Sequence, residues 1–281
     1  MEAGIRLPAV AGSFYPGDHD ALAAAASKLL GDEIDRRCAA LASPFGLIVP
    51  HAGYSYSGPT AAAGFRAVAA QGRPSVIVLL GASHSGLGGP VTLSNQKAWQ
   101  TPLGDVPVAA DIVERLRSGG MPVDESAFGR EHSIEVQLPF LQILWGSTVP
   151  VVPICVQTTA LEVLCAAGEA IARALDDRPS ALIVASSDFT HYEPDETARR
   201  IDQAALDPIL ALEAPRFFRL CVEQHLSICG AGAIVVLMSA ARCLGLEETN
   251  LVDYSTSGDT TGDRSAVVGY AAVSFVRRNN G

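Results

Sequence analysis

Five short apolar runs constrain the fold of this 281-residue chain more than any other feature. Runs of this kind are typical of strands that are buried on both faces of a sheet. The predicted strands span residues 46–50, 75–80, 149–156, 181–186 and 266–275. Because segments with helical periodicity separate most of them, we expect an α/β fold with a central, mostly parallel or mixed sheet and helices on both faces.

The segments between the strands predict helices and one excursion from the sheet. The predicted helices span residues 18–30, 59–70, 111–117, 159–175, 195–212 and 230–244. Residues 90–107 lack helical periodicity and predict a hairpin or another excursion. No linker, repeat or low-complexity tract interrupts the pattern, so we expect one domain over residues 1–281.

Composition and charge exclude several classes of function. Hydrophobic residues make up 48% of the chain and charged residues 18%, which suits a compact protein. The formal net charge of −10 argues against nucleic acids and anionic membranes as partners. The N-terminus lacks an apolar signal region, the apolar stretch 231–241 is too short to span a bilayer, and none of the six cysteines forms a CxxC pair. We therefore expect a cytoplasmic protein with reduced thiols.

Histidines and an aspartate follow three of the predicted strands at once. The run GLIVP leads into His51, VIVLLGAS leads into His84, and ALIVASS leads into Asp188 and His191. In open α/β sheets, ligands bind in the crevice beyond the carboxyl ends of the strands. One such histidine would be an ordinary loop residue, but several at equivalent positions favour a metal or catalytic site, since imidazole is the commonest metal ligand.

His132 and Cys229 are further candidates from other segments. His132 lies in REHSIEVQLPF, where we expect the start of a helix. Either this segment is a capped helix start with Glu131 exposed, or His132 lies over the same crevice. Cys229 precedes an apolar helix in SICGAGAIVVLM, and a helix N-terminus would lower the pKa of its thiol group. The alternative for Cys229 is a small buried core residue. His19 and His225 lack a comparable context, and we expect both to be structural or solvated.

The remaining motifs point away from other chemistries. The chain contains no GxGxxG or GxxxxGK[ST] fingerprint for nucleotides and no GxSxG elbow for a serine hydrolase. The polar stretch YSTSGDTTGDRS predicts either a turn between the last two strands or a loop that closes the crevice. In the second case Asp259 and Asp263 would be polar contacts.

The ordered motifs of the whole chain resemble the Memo family, also called AmmeMemoRadiSam system protein B. These motifs are AGSFYP, PHAGYSYSGPTA, GASHSG, WQTPLGDVPV, EHSIEVQLPFLQ, SSDFTHY, CGAGAI, and YSTSGDTTGD with VVGYAA. The resemblance implies the fold of class III extradiol dioxygenases, the LigB type. It also implies a metal held by His51, His84 and Cys229.

The resemblance further implies that Asp188 and His191 lie beside the metal and that His132 lines the pocket. The dioxygenases hold iron with two histidines and a carboxylate, whereas this chain has Cys229 at the third position. Fe(II) is the expected metal, and the softer thiolate widens the choice to copper or zinc. The substitution also makes ring cleavage less certain than redox chemistry in general.

Two hypotheses follow for the function. In the first, a non-haem metal enzyme acts on a small organic substrate: His191 is the acid/base, and Asp188 orients His191 or a metal-bound water. His132 would stabilise developing charge, and Tyr54 and Tyr56 would line the pocket wall. In the second, the same crevice is a non-catalytic scaffold that binds a peptide or protein, as is described for some members of the family. The resemblance also implies an AMMECR-type protein and a radical-SAM protein as partners.

Overall fold

The computed structural model describes residues 4–31 and 39–278 of the chain. The two ends of the predicted domain, and Cys38, lie outside the described residues. The helices are α1 His19–Leu30, α2 Tyr54–Ala69, α3 Ala110–Ser118, α4 Leu138–Trp145, α5 Leu161–Ala174, α6 Asp195–Leu210, α7 Ala214–Glu223, α8 Ala231–Leu244 and α9 Ser257–Thr261. The strands are β1 Ile5–Arg6, β2 Phe45–Val49, β3 Val76–Ala82, β4 Val91–Leu93, β5 Ala98–Thr101, β6 Gly104–Pro107, β7 Val151–Val156, β8 Ala181–Ser186, β9 His191–Glu193, β10 Glu248–Thr256 and β11 Val267–Val276.

The main sheet is mixed and has the strand order β10-β11-β2-β8-β3-β7-β4, with β9 paired to β11. Its centre is parallel, because β2 pairs with β8, β8 with β3, and β3 with β7 in the same direction. The outer strands β11, β10 and β4 are antiparallel to their neighbours. A separate small sheet contains β1, β5 and β6. The predicted α/β class and mixed sheet are therefore confirmed.

Alternating side chains of the central strands fill two cores, one on each face of the sheet. On β3, Val76, Val78 and Leu80 belong to the core under α5 and α8. Ile77 and Leu79 on the same strand belong to the core under α1, α2 and α4. Apolar residues on both faces explain why the central strands appear in the sequence as continuous apolar runs. Each strand end can consequently meet loops from either face.

The predicted elements differ from the structure mainly at boundaries and in amphipathic segments. Helix α2 begins at Tyr54, five residues before the predicted start at Pro59, so the proline lies inside the helix and costs it one backbone hydrogen bond. Helix α7 and strand β10 were not predicted, because both are partly exposed and lack an apolar run. The excursion at 90–107 is confirmed, and its hairpin is formed by β5 and β6.

The helices were also compared with the thickness of a lipid bilayer. Across residues 4–31 and 39–278, no helix has both the length and the apolar character that a membrane crossing requires.

Candidate metal centre

The carboxyl ends of three neighbouring parallel strands bring the predicted site residues together. Three of these residues each lie two residues beyond the end of a strand: His51 follows β2, His84 follows β3, and Asp188 follows β8. Strand β8 lies between β2 and β3, so the three loops leave the sheet side by side. The convergence expected from the sequence is therefore present in the structure.

His51, His84 and Cys229 form a compact group that we call the His–His–Cys cluster. One ligand-type atom from each residue lies within 4.8 Å of those of the other two. The Cys229 sulfur is 3.1 Å from Nε2 of His51, and the rings of His51 and His84 meet edge to face with centroids 5.2 Å apart. Cys229 enters from the face of α8, whereas both histidines extend from the sheet. These residues could hold one metal ion.

A hydrogen-bond chain fixes the proton of His51 on the ring nitrogen that faces away from Cys229. The hydroxyl group of Ser186 donates its only proton to the carbonyl of Ser133 at 2.6 Å and accepts from Nε2 of Gln137 at 2.9 Å. At 3.0 Å from Nδ1 of His51, Ser186 can therefore only accept, so Nδ1 carries the proton. The lone pair of Nε2 faces the thiol group of Cys229, whose sulfur is 3.1 Å away and can donate to it. Burial, and then the charge of His84, lower the pKa of His51, which keeps this ring neutral.

His84 has the same tautomer, but a carboxylate fixes it. Nδ1 of His84 donates to Glu131 at 3.0 Å, and the backbone N–H of His84 donates to the same carboxylate at 2.7 Å. A carboxylate behind a ligating histidine orients the ring and increases its basicity. Burial lowers the pKa of His84, but the hydrogen bond and charge of Glu131 outweigh this effect and raise it.

Glu131 contacts the cluster through His84, and its place at the site was not predicted from the sequence. It was expected to be exposed, but it is completely buried and accepts further hydrogen bonds from the backbone N–H groups of His132 and Ser133 at 2.9 and 2.8 Å. Burial opposes ionisation of Glu131, yet the bonds from His84 and Ser133 hold its pKa below the usual range. The only available signal was its position next to His132, because its partner His84 lies 47 residues away.

His132 lies against the His–His–Cys cluster on the side of α4. Its ring stacks on His84 with centroids 4.5 Å apart, meets His51 edge to face at 5.4 Å, and packs against Phe14 at 4.6 Å. Burial, and then the charges of the neighbouring imidazoles, lower the pKa of His132 to about 4. The residue does not begin a helix as predicted: a 3-10 turn at Glu135–Gln137 follows it, and α4 begins at Leu138.

The environment of Cys229 differs from the one predicted. Burial, followed by the negative charge of Asp188, raises the pKa of the thiol group, whereas the helix N-terminus was expected to lower it. The backbone N–H of Asp188 donates to the sulfur at 3.3 Å. A Cβ atom at Gly230 would lie 2.5 Å from Cβ of Ser187, so only glycine allows this close approach of α8 to the strand end. A cation shared with His51 and His84 would favour the thiolate.

Asp188 and His191 are both present at the crevice but do not hydrogen-bond to each other. Asp188 is buried and accepts from the backbone N–H groups of His51 and Ala52 at 2.7 and 3.3 Å. Burial raises the pKa of the Asp188 carboxyl group. Nδ1 of His191 lies 2.7 and 2.8 Å from the carbonyls of Phe189 and Ser227, which orient the ring. The predicted orientation of His191 by Asp188 therefore has no hydrogen bond to support it.

The two predicted pocket tyrosines occupy different environments. Tyr54 lies in the core, where its ring stacks on Phe140 and its hydroxyl group donates to the carbonyl of Val136 at 2.9 Å. This position follows from the early start of α2, and it does not support a pocket-wall role for Tyr54. Tyr56, two residues later on the same helix, is 46% exposed.

The polar C-terminal stretch forms a turn between β10 and β11, as one of the two predictions proposed. It contains α9, which begins with a capping box of Thr256 and Asp259. Asp259 is also paired with Arg199 at 2.7 Å and Arg264 at 2.9 Å, and Asp263 accepts from Ser265. Both carboxylates have local partners, so the structure does not support their predicted role in closing the crevice.

The comparisons with known proteins agree with these motifs. The model of Memo-like proteins matches residues 6–274 of this chain. A MEMO1 family protein of Methanopyrus kandleri is 38% identical and covers 97% of this chain and 99% of its own. Relatives with the same description in Pyrobaculum aerophilum and Methanococcoides burtonii are 40% and 41% identical, over 97% and 96% of this chain and 99% of each of theirs. An uncharacterized protein of Escherichia coli K12 shares the fold, with a TM-score of 0.52, 14% identity, and coverage of 82% of this chain and 98% of its own. The chain thus belongs to the Memo family.

Proposed function

We propose that this protein is a non-haem metal enzyme that carries out redox chemistry on a small organic substrate. The observation that carries the proposal is the tautomeric state of the His–His–Cys cluster. Ser186 and Glu131 accept from Nδ1 of His51 and His84, so that Nε2 is the atom that each ring would offer to a cation in place of a proton. A cluster that served only packing would not require a serine and a buried glutamate to occupy the Nδ1 atoms of two histidines beside one cysteine.

The donor set fits a single divalent ion. Metal–nitrogen and metal–sulfur bonds of about 2.0–2.3 Å allow two ligands of one ion to lie up to about 4.4 Å apart. The three donor atoms of the cluster lie within 4.8 Å of one another. The widest pair would need to close by at most about 0.4 Å for all three to bind one ion. Three protein ligands leave coordination positions open for substrate or oxygen. Fe(II) is the metal we propose, with copper or zinc as alternatives that a thiolate ligand would also accept.

The surrounding side chains can provide proton transfer and positioning. A bound iron or copper ion would supply electron transfer and Lewis acidity. Both partners of Nδ1 of His191 are carbonyl oxygens, so Nδ1 carries the proton and Nε2 is left as a base. Asp188 fixes the backbone of His51, and His132 lies over the same site. His191 would therefore exchange a proton with the substrate, and His132 would stabilise charge that develops on it.

Oxygen consumption by the Fe(II)-loaded protein with a panel of catechols and related phenols tests this proposal. We expect His191→Ala to lose at least 100-fold in turnover while it keeps its metal, because general acid–base catalysis typically contributes about 10²–10⁴-fold. His19→Ala changes an exposed histidine at the start of α1 and is the matched control. Equal turnover in His191→Ala and His19→Ala would contradict the assigned role.

A second candidate function is a binding module for a peptide or another protein. Large apolar side chains next to the site residues favour it: Tyr192, beside His191, is 77% exposed, and Leu87, in the loop after His84, is 54% exposed. In this case the metal would stabilise the crevice without turnover. Absence of oxygen consumption by fully metallated protein with every catechol and phenol would favour the module over the enzyme.

A further inference from the structure

A cavity of about 460 Å³ adjoins the His–His–Cys cluster on the side of β7. Cys229 lines both the cluster and the cavity, and Ser83, which precedes His84, also lines the cavity. The remaining walls come from the end of β7, from α7, and from the loop that joins α7 to α8. A volume of this size matches the clefts that bind small organic molecules.

Apolar side chains form a large part of the cavity wall. Val156, Phe218, Val222 and Ile228 supply much of the surface, and within the described part of the chain no Asp, Glu, Lys or Arg lines it. An anionic or cationic group that entered the cavity would lose its hydration without gaining a partner of opposite charge.

Polar side chains on the rim are largely committed to the protein backbone. Nε2 of Gln157 donates to the carbonyl of Gly89 at 3.0 Å and also to that of Gly88. The hydroxyl oxygen of Thr158 accepts from the backbone N–H of Ala160 at 3.1 Å. His225, which was expected to be structural or solvated, is also on the wall. The cavity therefore offers a ligand mainly van der Waals contact with apolar side chains.

The loop between α7 and α8 joins the cavity to the proposed chemistry. Ile228 forms part of the cavity wall, Cys229 belongs to the His–His–Cys cluster, and the Ser227 carbonyl orients His191. A ligand whose reactive end lies between Cys229 and His191 would have the cavity beside it. The arrangement separates a polar reacting end from an apolar remainder.

We infer that the cavity binds the uncharged apolar arm, alkyl or aryl, of an organic ligand whose oxygen-bearing head lies at the His–His–Cys cluster. The position of the head rests on the proposed function. The arm pocket rests on the cavity itself, so the two can fail separately.

Calorimetric titration of the Zn(II)-loaded protein, which avoids turnover, tests the inference. The probes are methyl-, propyl- and hexylcatechol, each alkylated para to one hydroxyl group. We expect the dissociation constant to fall as the alkyl chain lengthens, by up to about fourfold for each methylene group that the cavity fully buries. Dihydrocaffeate has a propyl-length arm with a terminal carboxylate, and we expect it to bind at least tenfold more weakly than propylcatechol. Equal affinity across the alkyl series, or tighter binding of dihydrocaffeate, would overturn the inference.

Variants on α7 locate the arm. Val222→Trp should fill the cavity and abolish the dependence on chain length, whereas Glu223→Trp, with the same side chain at the next position, should retain it. Phe218→Ala removes part of the wall. It should weaken the binding of hexylcatechol about tenfold and have little effect on the binding of methylcatechol. Retention of the full dependence in both Val222→Trp and Phe218→Ala would overturn the inference. Thermal melts and zinc contents establish that each variant is folded and loaded.

The zinc content of the protein distinguishes failure of the proposed metal site from failure of the proposed arm pocket. A dependence on chain length in protein that holds no zinc would support the arm pocket and count against the metal proposal. Equal dissociation constants for all three alkylcatechols in fully zinc-loaded protein would support metal binding and count against the arm pocket.

Discussion

The buried cluster around Arg6 and the His–His–Cys cluster differ in whether their polar atoms are already satisfied. Arg6 is paired with Glu135, donates to the carbonyls of Phe128 and Glu131, and packs over the ring of Trp99 at 4.4 Å. Glu135 also accepts from Tyr15 at 2.5 Å and from the backbone N–H groups of Ala9 and Val10 at 2.8 and 3.0 Å. Each charge in this cluster has a protein partner.

In the His–His–Cys cluster, the hydrogen-bond acceptors of the two Nδ1 atoms lie on the outer side, and the candidate ligand atoms lie on the inner side. The hydrogen bonds of His51 and His84 to Ser186 and Glu131 use the outer ring nitrogens. On the inner side the Cys229 sulfur lies 3.1 Å from Nε2 of His51, and among the described residues no hydrogen bond reaches Nε2 of His84. The comparison teaches that buried polarity does not identify a ligand site. A better indication of a ligand site is a group of candidate ligand atoms close together on side chains whose other polar atoms already have hydrogen-bond partners.

The largest expected effect is a loss of stability when the ion pair of the Arg6 cluster is removed. Glu135→Gln leaves the buried guanidinium of Arg6 without its counter-charge, and we expect a loss of about 3–5 kcal/mol in the free energy of unfolding. Metal content per folded chain should stay unchanged. Denaturant titration and elemental analysis of the folded fraction measure the two quantities. A stability equal to that of the wild type would show that this cluster is not the structural one.

The next effect concerns Glu131, which is matched to Glu135 in residue type and burial. Glu131→Gln weakens the acceptor behind His84, and we expect metal affinity to fall about 10–100-fold, or about 1.4–2.8 kcal/mol. Competition with a chelator of known affinity measures the change, and Glu135→Gln is the control. If Glu135→Gln weakened metal binding as much as Glu131→Gln, the distinction between the clusters would be lost.

A smaller effect is expected at the other histidine. Ser186→Ala removes the acceptor of Nδ1 of His51, so the ring can adopt the tautomer that protonates Nε2. We expect metal affinity to fall about tenfold, at the low end of the range for such partners. The same competition assay applies, and the control is Ser239→Ala, which changes a buried serine on α8 that donates to the carbonyl of Cys165 outside the cluster. Unchanged affinity in Ser186→Ala would mean that the tautomer is set by the metal alone.

The smallest effect tests the reassignment of Tyr54 to the core. Tyr54→Phe removes the hydroxyl group that donates to Val136 and should cost about 1 kcal/mol in unfolding free energy. Metal and catechol affinities should not change. Tyr56→Phe, on the exposed side of α2, should leave the stability within about 0.5 kcal/mol of the wild type. A loss of catechol binding in Tyr54→Phe alone would restore the predicted pocket role.

The sequence predicted the features that local patterns encode. Apolar runs identified the central strands, and the polar residues directly after them placed His51, His84 and Asp188 at one edge of the sheet. A run that is apolar at every position leaves little choice but burial on both faces, which explains this success.

Features that depend on distant partners could not be predicted in the same way. Glu131 appeared exposed because its hydrogen-bond partner His84 comes from another strand end, and Ser186 gave no signal of its contact with His51. The pKa of Cys229 was predicted from its helix alone, whereas burial by other segments has the larger effect. The tertiary structure thus supplies the partners that give the candidate ligands their protonation states.

Metal content after anaerobic purification and Fe(II) loading tests the central claim most directly. Elemental analysis would compare the wild type with His51→Ala, His84→Ala and Cys229→Ala, and with the controls His19→Ala and Cys243→Ala, which change exposed residues outside the cluster. The account predicts about one metal ion per chain in the wild type and both controls, and loss of the ion in all three cluster variants. Full metal content in Cys229→Ala, or no metal in the loaded wild type, would contradict it.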